Sequence, residues 1–256
     1  MNDFEKLKKL YANESKHSNY QVLSERLNLL IGNDQIKVKT RYEKQRLKYI
    51  LNNIDVKGKT VLDIGGNTGY FSFEMIANGA SMVHYYEGNK EHAEFVRLSA
   101  KVLGVTENIV IKNEYLEFDE DLDKNKYDIV LLLNVLHHVG DDYGKKELTV
   151  VQAKKIITDQ LNKLSPLSGT VVFQLGYNWK GNRDIGLFDK GTKKEVIDFV
   201  GLGIKHKWEI IKIGIPEKRG SIVEYYDLDE NNINRDDSLG EFLNRPLFIL
   251  RSLNSK

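Results

Sequence analysis

Apolar residues recur at two different periods along this chain, and the change from one to the other near residue 58 divides it. Before that point the spacing is helical. Phe4, Leu7, Leu10 and Tyr11 share one face, Leu23, Leu27 and Leu30 a second, and Leu47, Ile50, Leu51 and Ile54 a third. From Gly58 onward short aliphatic runs alternate with helical stretches, the order that builds a parallel sheet wrapped on both faces. Strands are predicted at Val61–Ile64, Met82–Tyr86, Asn108–Lys112, Tyr127–Leu133, Thr170–Leu175, near Trp208–Ile215 and over Arg245–Arg251. Helices are predicted from Thr68 to Asn78-Gly79, over about Lys90–Leu103, along the face Val150, Ala153, Ile157, Leu161 and Leu164, and from Lys193 to about Val200. The segment from Pro216 to Asn244 is too polar for a crossover helix, so the last two strands are read as an antiparallel hairpin at the sheet edge. Residues 1–57 are therefore expected to form a helical lid or extension, and residues 58–256 one continuous α/β fold.

Composition removes several classes without choosing one. Across 256 residues, 41% hydrophobic and 29% charged content is that of an ordinary globular protein. Cysteine is absent, which excludes disulfides, thiolate zinc sites and cysteine nucleophiles. Lys+Arg 38 against Asp+Glu 37 gives a net charge of +1 and no global basic surface for nucleic acid. The N-terminus is charged throughout and no window approaches a membrane span, so a cytoplasmic location is expected.

The chemistry concentrates at Lys59–Ser72, where Thr60-Val61-Leu62 runs through Asp63 into a turn of Gly65, Gly66, Asn67 and Gly69. Small residues at a strand-to-helix turn let a ligand approach the main chain, and Asn enters left-handed conformations at modest cost. The following helix would aim unpaired N–H groups at an anionic or zwitterionic ligand. A dinucleotide fingerprint starting at Gly65 needs glycine where Asn67 and Tyr70 stand, so that reading fails. Glu87 ends the second strand a little over twenty residues later, the spacing at which a carboxylate reaches ribose hydroxyls.

This stretch resembles motif I of the class I S-adenosylmethionine-dependent methyltransferases, with Asp63, Gly65 and Gly69 matching and Asn67 in place of the middle glycine. The resemblance implies a Rossmann-like fold with a seven-stranded, mostly parallel sheet, an antiparallel edge hairpin and N-terminal helices. It also implies S-adenosyl-L-methionine as cofactor, held by Asp63, Gly65, Asn67, Gly69, Tyr70 and Glu87, by Glu114 and Tyr115 at the adenine, and by Asn134. Within that family the run Leu133–Val139 and the terminal Arg245–Leu250 look like methyltransferases of bacterial surface polysaccharides.

His137 and His138 follow the fourth strand, where open α/β sheets assemble their sites, and are the candidate general bases, with His137 taken as the base of the leading reading and His138 read first as structural. The competing reading is structural, with one imidazole capping a helix and the other packed under the cofactor. No metal is expected: in some quinone O-methyltransferases the positions of His137 and Asn134 are those of metal-site residues, and here carboxylates give way to neutral groups. Acceptor contacts are expected from Tyr177, Trp179 and Arg183 after the fifth strand and from His17, Tyr20 and Arg41 in the N-terminal helices. For His17 and Tyr20 the plainer reading is a solvated helix start capped at Ser18. The expected reaction is O-methylation of a small-molecule or glycan-linked hydroxyl or phosphate. A tRNA wobble-uridine methyltransferase and a non-catalytic cofactor-binding protein are the alternatives.

Overall fold

The computed structural model describes residues 2–12, 21–31, 38, 40–118 and 125–254. The chain divides into two compact units, Met1–Leu116 and Glu117–Lys256. In the first, helices α1 (Asp3–Ala12), α2 (Glu25–Ile31) and α3 (Glu43–Asn53) precede β1 (Thr60–Ile64), α4 (Tyr70–Ala77), β2 (Met82–Tyr86), α5 (Lys90–Leu103) and β3 (Ile109–Lys112). β2 lies between β1 and β3, parallel to both, with Asp63 opposite Tyr85 and Tyr86 opposite Lys112. This register brings the ends of β1 and β2 side by side.

The N-terminal helices are built into this unit. Tyr11 of α1 packs against Phe95 of α5 with ring centroids 5.5 Å apart, while Lys6 pairs with Glu94 and Lys101 with Asp3. α2 starts where its Glu25 N–H donates to Glu74 Oε1 of α4 at 2.6 Å. Glu74 is buried there, and desolvation raises its pKa.

The second unit contains β4 (Tyr127–Leu133), α6 (Val150–Lys163), β5 (Ser168–Gln174), α7 (Lys193–Gly203), β6 (Trp208–Arg219), β7 (Ile222–Asp227) and β8 (Leu247–Ser252). Its strand order is β4-β5-β8-β6-β7, parallel between β4 and β5 and antiparallel beyond. Thr149 and Thr192 start α6 and α7 with reciprocal capping boxes. The described residues thus hold eight strands, one more than the sequence pattern predicts, and the extra one is β7. It alternates buried Val223 and Tyr225 with more exposed neighbours and pairs with β6 alone, so its pattern is too polar to read as core. Pro216 hid the length of β6. Beyond Gly214 β6 pairs on one side only, where a residue without an N–H is tolerated.

Candidate functional site

In the first unit the glycine turn is held from beneath and from one side. Gly65, Asn67 and Gly69 take φ values of +68°, +52° and +78°. The N–H groups of Gly65 and Gly66 both donate to the Tyr86 carbonyl, at 2.9 and 3.2 Å. The buried Tyr85 ring fills the space in which a Gly66 Cβ would stand, 2.5 Å away, and its hydroxyl donates to the Asn67 carbonyl. Glu87 Oε2 accepts from Asn67 N–H at 2.9 Å, and Oε1 accepts from Asn89 N–H at 2.8 Å. Asn67 in turn accepts the Thr68 N–H on its own side chain at 2.8 Å. Asn67 replaces the usual glycine because its left-handed backbone is fixed by these contacts.

Asp63 faces inward. Its carboxyl is 4% exposed and accepts from Ser72 Oγ at 2.7 Å, tying β1 to α4. Burial pushes its pKa up to about 6; the Ser72 hydrogen bond opposes that rise and the Glu87 charge adds to it. That hydrogen bond gives the buried carboxyl an internal partner and ties it into the fold beside the turn. The Tyr70 ring is buried edge-on to Phe71, and its backbone N–H donates to Gln21 Oε1 at 2.9 Å.

Glu114 is exposed on the loop after β3. Next to it the Tyr115 ring lies over Gly88, so closely that a Cβ there would sit 2.2 Å from it. Asn113 joins the loops after β2 and β3, donating to the carbonyls of Glu87 at 2.9 Å and Gly88 at 3.3 Å. Neither Tyr85 nor Asn113 stood out in the sequence; their signal is position, one residue before a strand end and one after. A carboxylate beside an accessible glycine turn, with an exposed aromatic ring on the adjoining loop, suits the hydroxyls and base of an adenosine.

The second unit presents its polar groups after β4 and β5. Asn134, at φ +63°, donates from Nδ2 to Gln174 Oε1 at 2.9 Å and accepts from Arg245 Nη1 at 2.8 Å. Gln174 donates to the Arg245 carbonyl at 3.0 Å, and Arg245 grips Glu241 through Nε at 2.9 Å and Nη2 at 2.5 Å. This buried network was invisible in the sequence, because its members are up to 111 residues apart.

His137 and His138 form a 3-10 turn, Leu136–His138, with ring centroids 4.2 Å apart. Their environments differ. His137 is 3% exposed and fills the space over Gly176, where a Cβ would come within 2.9 Å of it. His138 is 16% exposed through its side chain and sets Nδ1 3.1 Å from Asp142 Oδ2. Asp141 joins them to form a group whose donor atoms lie within 4.8 Å of one another, spacing that a cation would also accept.

Tyr177 and Trp179, expected at the acceptor, are instead packed inward. Tyr177 donates its hydroxyl to the Asn244 carbonyl, and Trp179 Nε1 donates to the Val139 carbonyl at 2.8 Å, so each ring anchors the loop after β5. Arg183 is exposed on that loop, whereas Lys180 donates to the Lys146 carbonyl at 2.9 Å. In the first unit Arg41 donates its backbone N–H to both oxygens of Glu43, at 3.1 and 3.0 Å. His17, Tyr20 and Ser18 lie outside the described residues.

Residues 36–160 match the model of a family described as a methyltransferase domain. That match, over just under half of the chain, and the fold together support a class I methyltransferase domain. Its cofactor is S-adenosylmethionine, and the glycine turn and Glu87 fit that group. A curated relative, the ubiquinone biosynthesis O-methyltransferase of Neisseria meningitidis serogroup C, is 29% identical over 98 residues, 38% of this chain and 40% of that protein. The chain thus aligns with well under half of that relative's length. Among solved structures, WbdD is similar in fold with a TM-score of 0.61 at 14% identity, over 96% of this chain and 47% of that one. Magnesium protoporphyrin IX methyltransferase from Synechocystis PCC 6803, solved with bound S-adenosylmethionine, gives 0.51 at 12% identity over 97% and 90%. Among the described residues no helix is long and apolar enough to cross a membrane.

Proposed function

We propose that this methyltransferase domain methylates a hydroxyl oxygen of a small-molecule or glycan-linked acceptor, with His138 as general base and Asp142 as its orienting carboxylate. The observation that carries this reading is the 3.1 Å approach of Asp142 Oδ2 to His138 Nδ1 on a partly exposed imidazole, beside a fully buried His137. The contact is an ion-pair approach and not an aligned hydrogen bond in this structure; a small turn of the imidazole that points Nδ1–H at Asp142 would fix the tautomer whose Nε2 is a proton acceptor, and the carboxylate would then stabilise the imidazolium that forms. His137 supports the loop after β5 through Gly176. The sulfonium methyl of S-adenosylmethionine is the electrophile, so positioning the acceptor and removing its proton are what the protein adds.

A phosphate acceptor is already ionised and calls for cations instead of a base; Lys180 is engaged with a carbonyl, which leaves Arg183. The name of the Neisseria relative supports an oxygen acceptor, and the net charge of +1 favours a small acceptor over tRNA.

The test uses labelled S-adenosylmethionine with catechol-type phenols, hexosides, a sugar phosphate and unmodified tRNA as acceptors. Turnover of a phenol or hexoside that drops about a hundredfold or more in His138→Ala, with a displaced pH profile in Asp142→Asn and unchanged cofactor binding in both, is the expected result. Wild-type rates in His138→Ala, or turnover of the phosphate or tRNA alone, would overturn it.

A further inference from the structure

The strongest unassigned feature beside the glycine turn is Gln21, which enters the first unit from the segment ahead of α2. Its Oε1 accepts from the Tyr70 N–H at 2.9 Å and from Thr68 Oγ1 at 3.1 Å. One side-chain oxygen thus accepts from two donors at the start of α4. The segment is fixed on both flanks: Tyr11 donates its hydroxyl to the Gln21 carbonyl, and Glu25 N–H is held by Glu74 four residues later. The other end of the amide is different. Gln21 is half-buried, and among the described residues no hydrogen bond from its Nε2 is found.

We propose that Gln21 is a cofactor-positioning residue whose Nε2 donates to the carboxylate at the amino-acid end of the ligand. This rests on the S-adenosylmethionine reading of the turn. An amide whose oxygen accepts two hydrogen bonds is polarised, so its N–H groups become better donors. The positive end of α4 is thereby relayed through the side chain to an outer position. A side chain already held by two bonds loses little further freedom when it binds, which is what makes it a positioning group. On this reading Glu87 takes the ribose and Gln21 the amino-acid tail of one ligand.

Two ligands separate this role from a merely structural one. S-Adenosylhomocysteine carries the amino-acid tail, and 5′-methylthioadenosine carries the same nucleoside without it. Titration calorimetry on the full chain compares both ligands with wild type, Gln21→Ala and Gln21→Glu. The expected result is a loss of about tenfold in S-adenosylhomocysteine affinity for Gln21→Ala, the worth of one hydrogen bond to a charged group. Gln21→Glu should lose more, because it keeps the acceptor on Tyr70 and Thr68 but presents a like charge to the carboxylate. Methylthioadenosine affinity should stay within about twofold in both. Equal losses for the two ligands would make Gln21 a support of the turn and overturn the proposal, as would unchanged S-adenosylhomocysteine affinity. A wild-type chain that binds neither ligand would overturn the cofactor reading itself, and the inference with it.

Discussion

Replacing Asp63 by Asn should remove a pH dependence of stability whose sign is unusual for a carboxylate. Asp63 is buried at the end of β1 with Ser72 as its hydrogen-bond partner, and burial raises its pKa from 3.8 to about 6. The folded state therefore holds the proton more tightly than the unfolded chain. Below about pH 4 both states are protonated and the group is neutral in its effect. As pH rises through the window between the two values, the unfolded chain ionises first, so this group's contribution to stability falls until it levels off above pH 6. A shift of about two units is about 3 kcal/mol. Urea unfolding of wild type and Asp63→Asn at several pH values from 4 to 8 isolates this carboxyl's contribution as the difference between the two curves, because the other carboxylates are common to both. Wild type should lose about 3 kcal/mol relative to the variant across that range. The absolute offset is a separate matter, since the new amide brings a buried donor that costs about 1–3 kcal/mol without a partner. Parallel curves, or a wild type that gains on the variant as pH rises, would refute the reasoning.

Three further outcomes follow from the packing and the site. Gly66→Ala should destabilise by about 1–3 kcal/mol, because its Cβ would stand 2.5 Å from the buried Tyr85 ring; a double mutant with Tyr85→Leu should recover part of the loss, and additive thermal shifts would contradict the clash. Arg245→Ala should cost on the order of 2–4 kcal/mol, since it strips Asn134 and Glu241 of one shared partner while leaving Gln174 the main-chain carbonyl it donates to; chemical denaturation measures it, and a change under about 0.5 kcal/mol would show the network to be dispensable. If His138 and Asp142 act as a base pair and not as cation ligands, exhaustive treatment with a chelator should leave methyl transfer unchanged, and restoration of lost activity by magnesium would contradict that role.

The parts of the fold readable from the chain are those in which one local pattern decides. β2, β4 and α5 run over the residues their apolar periods indicate, because a fully covered strand and a strongly amphipathic helix leave little ambiguity. Gly104, left-handed at φ +69°, stops α5 where a glycine should. β7 escaped because an edge strand needs only one apolar face. At the site, the glycine turn and Glu87 were visible through residue type and spacing. The roles of individual side chains were not, because they depend on partners distant in sequence. Asp63 turned inward because Ser72 was there to receive it, and Tyr177 and Trp179 because carbonyls of Asn244 and Val139 lay within reach. The His138–Asp142 pair is local in sequence, yet the choice between two adjacent histidines required their different exposure.

The central claim is that the turn at Gly65–Gly69, with Glu87, holds S-adenosylmethionine. Calorimetric titration of S-adenosylhomocysteine into wild type and Glu87→Ala tests it most directly. Wild type should show saturable one-site binding and the variant a loss of about tenfold or more, the worth of at least one charge-assisted hydrogen bond. Wild type that binds no S-adenosylhomocysteine, or Glu87→Ala that binds it as tightly as wild type, would contradict the account.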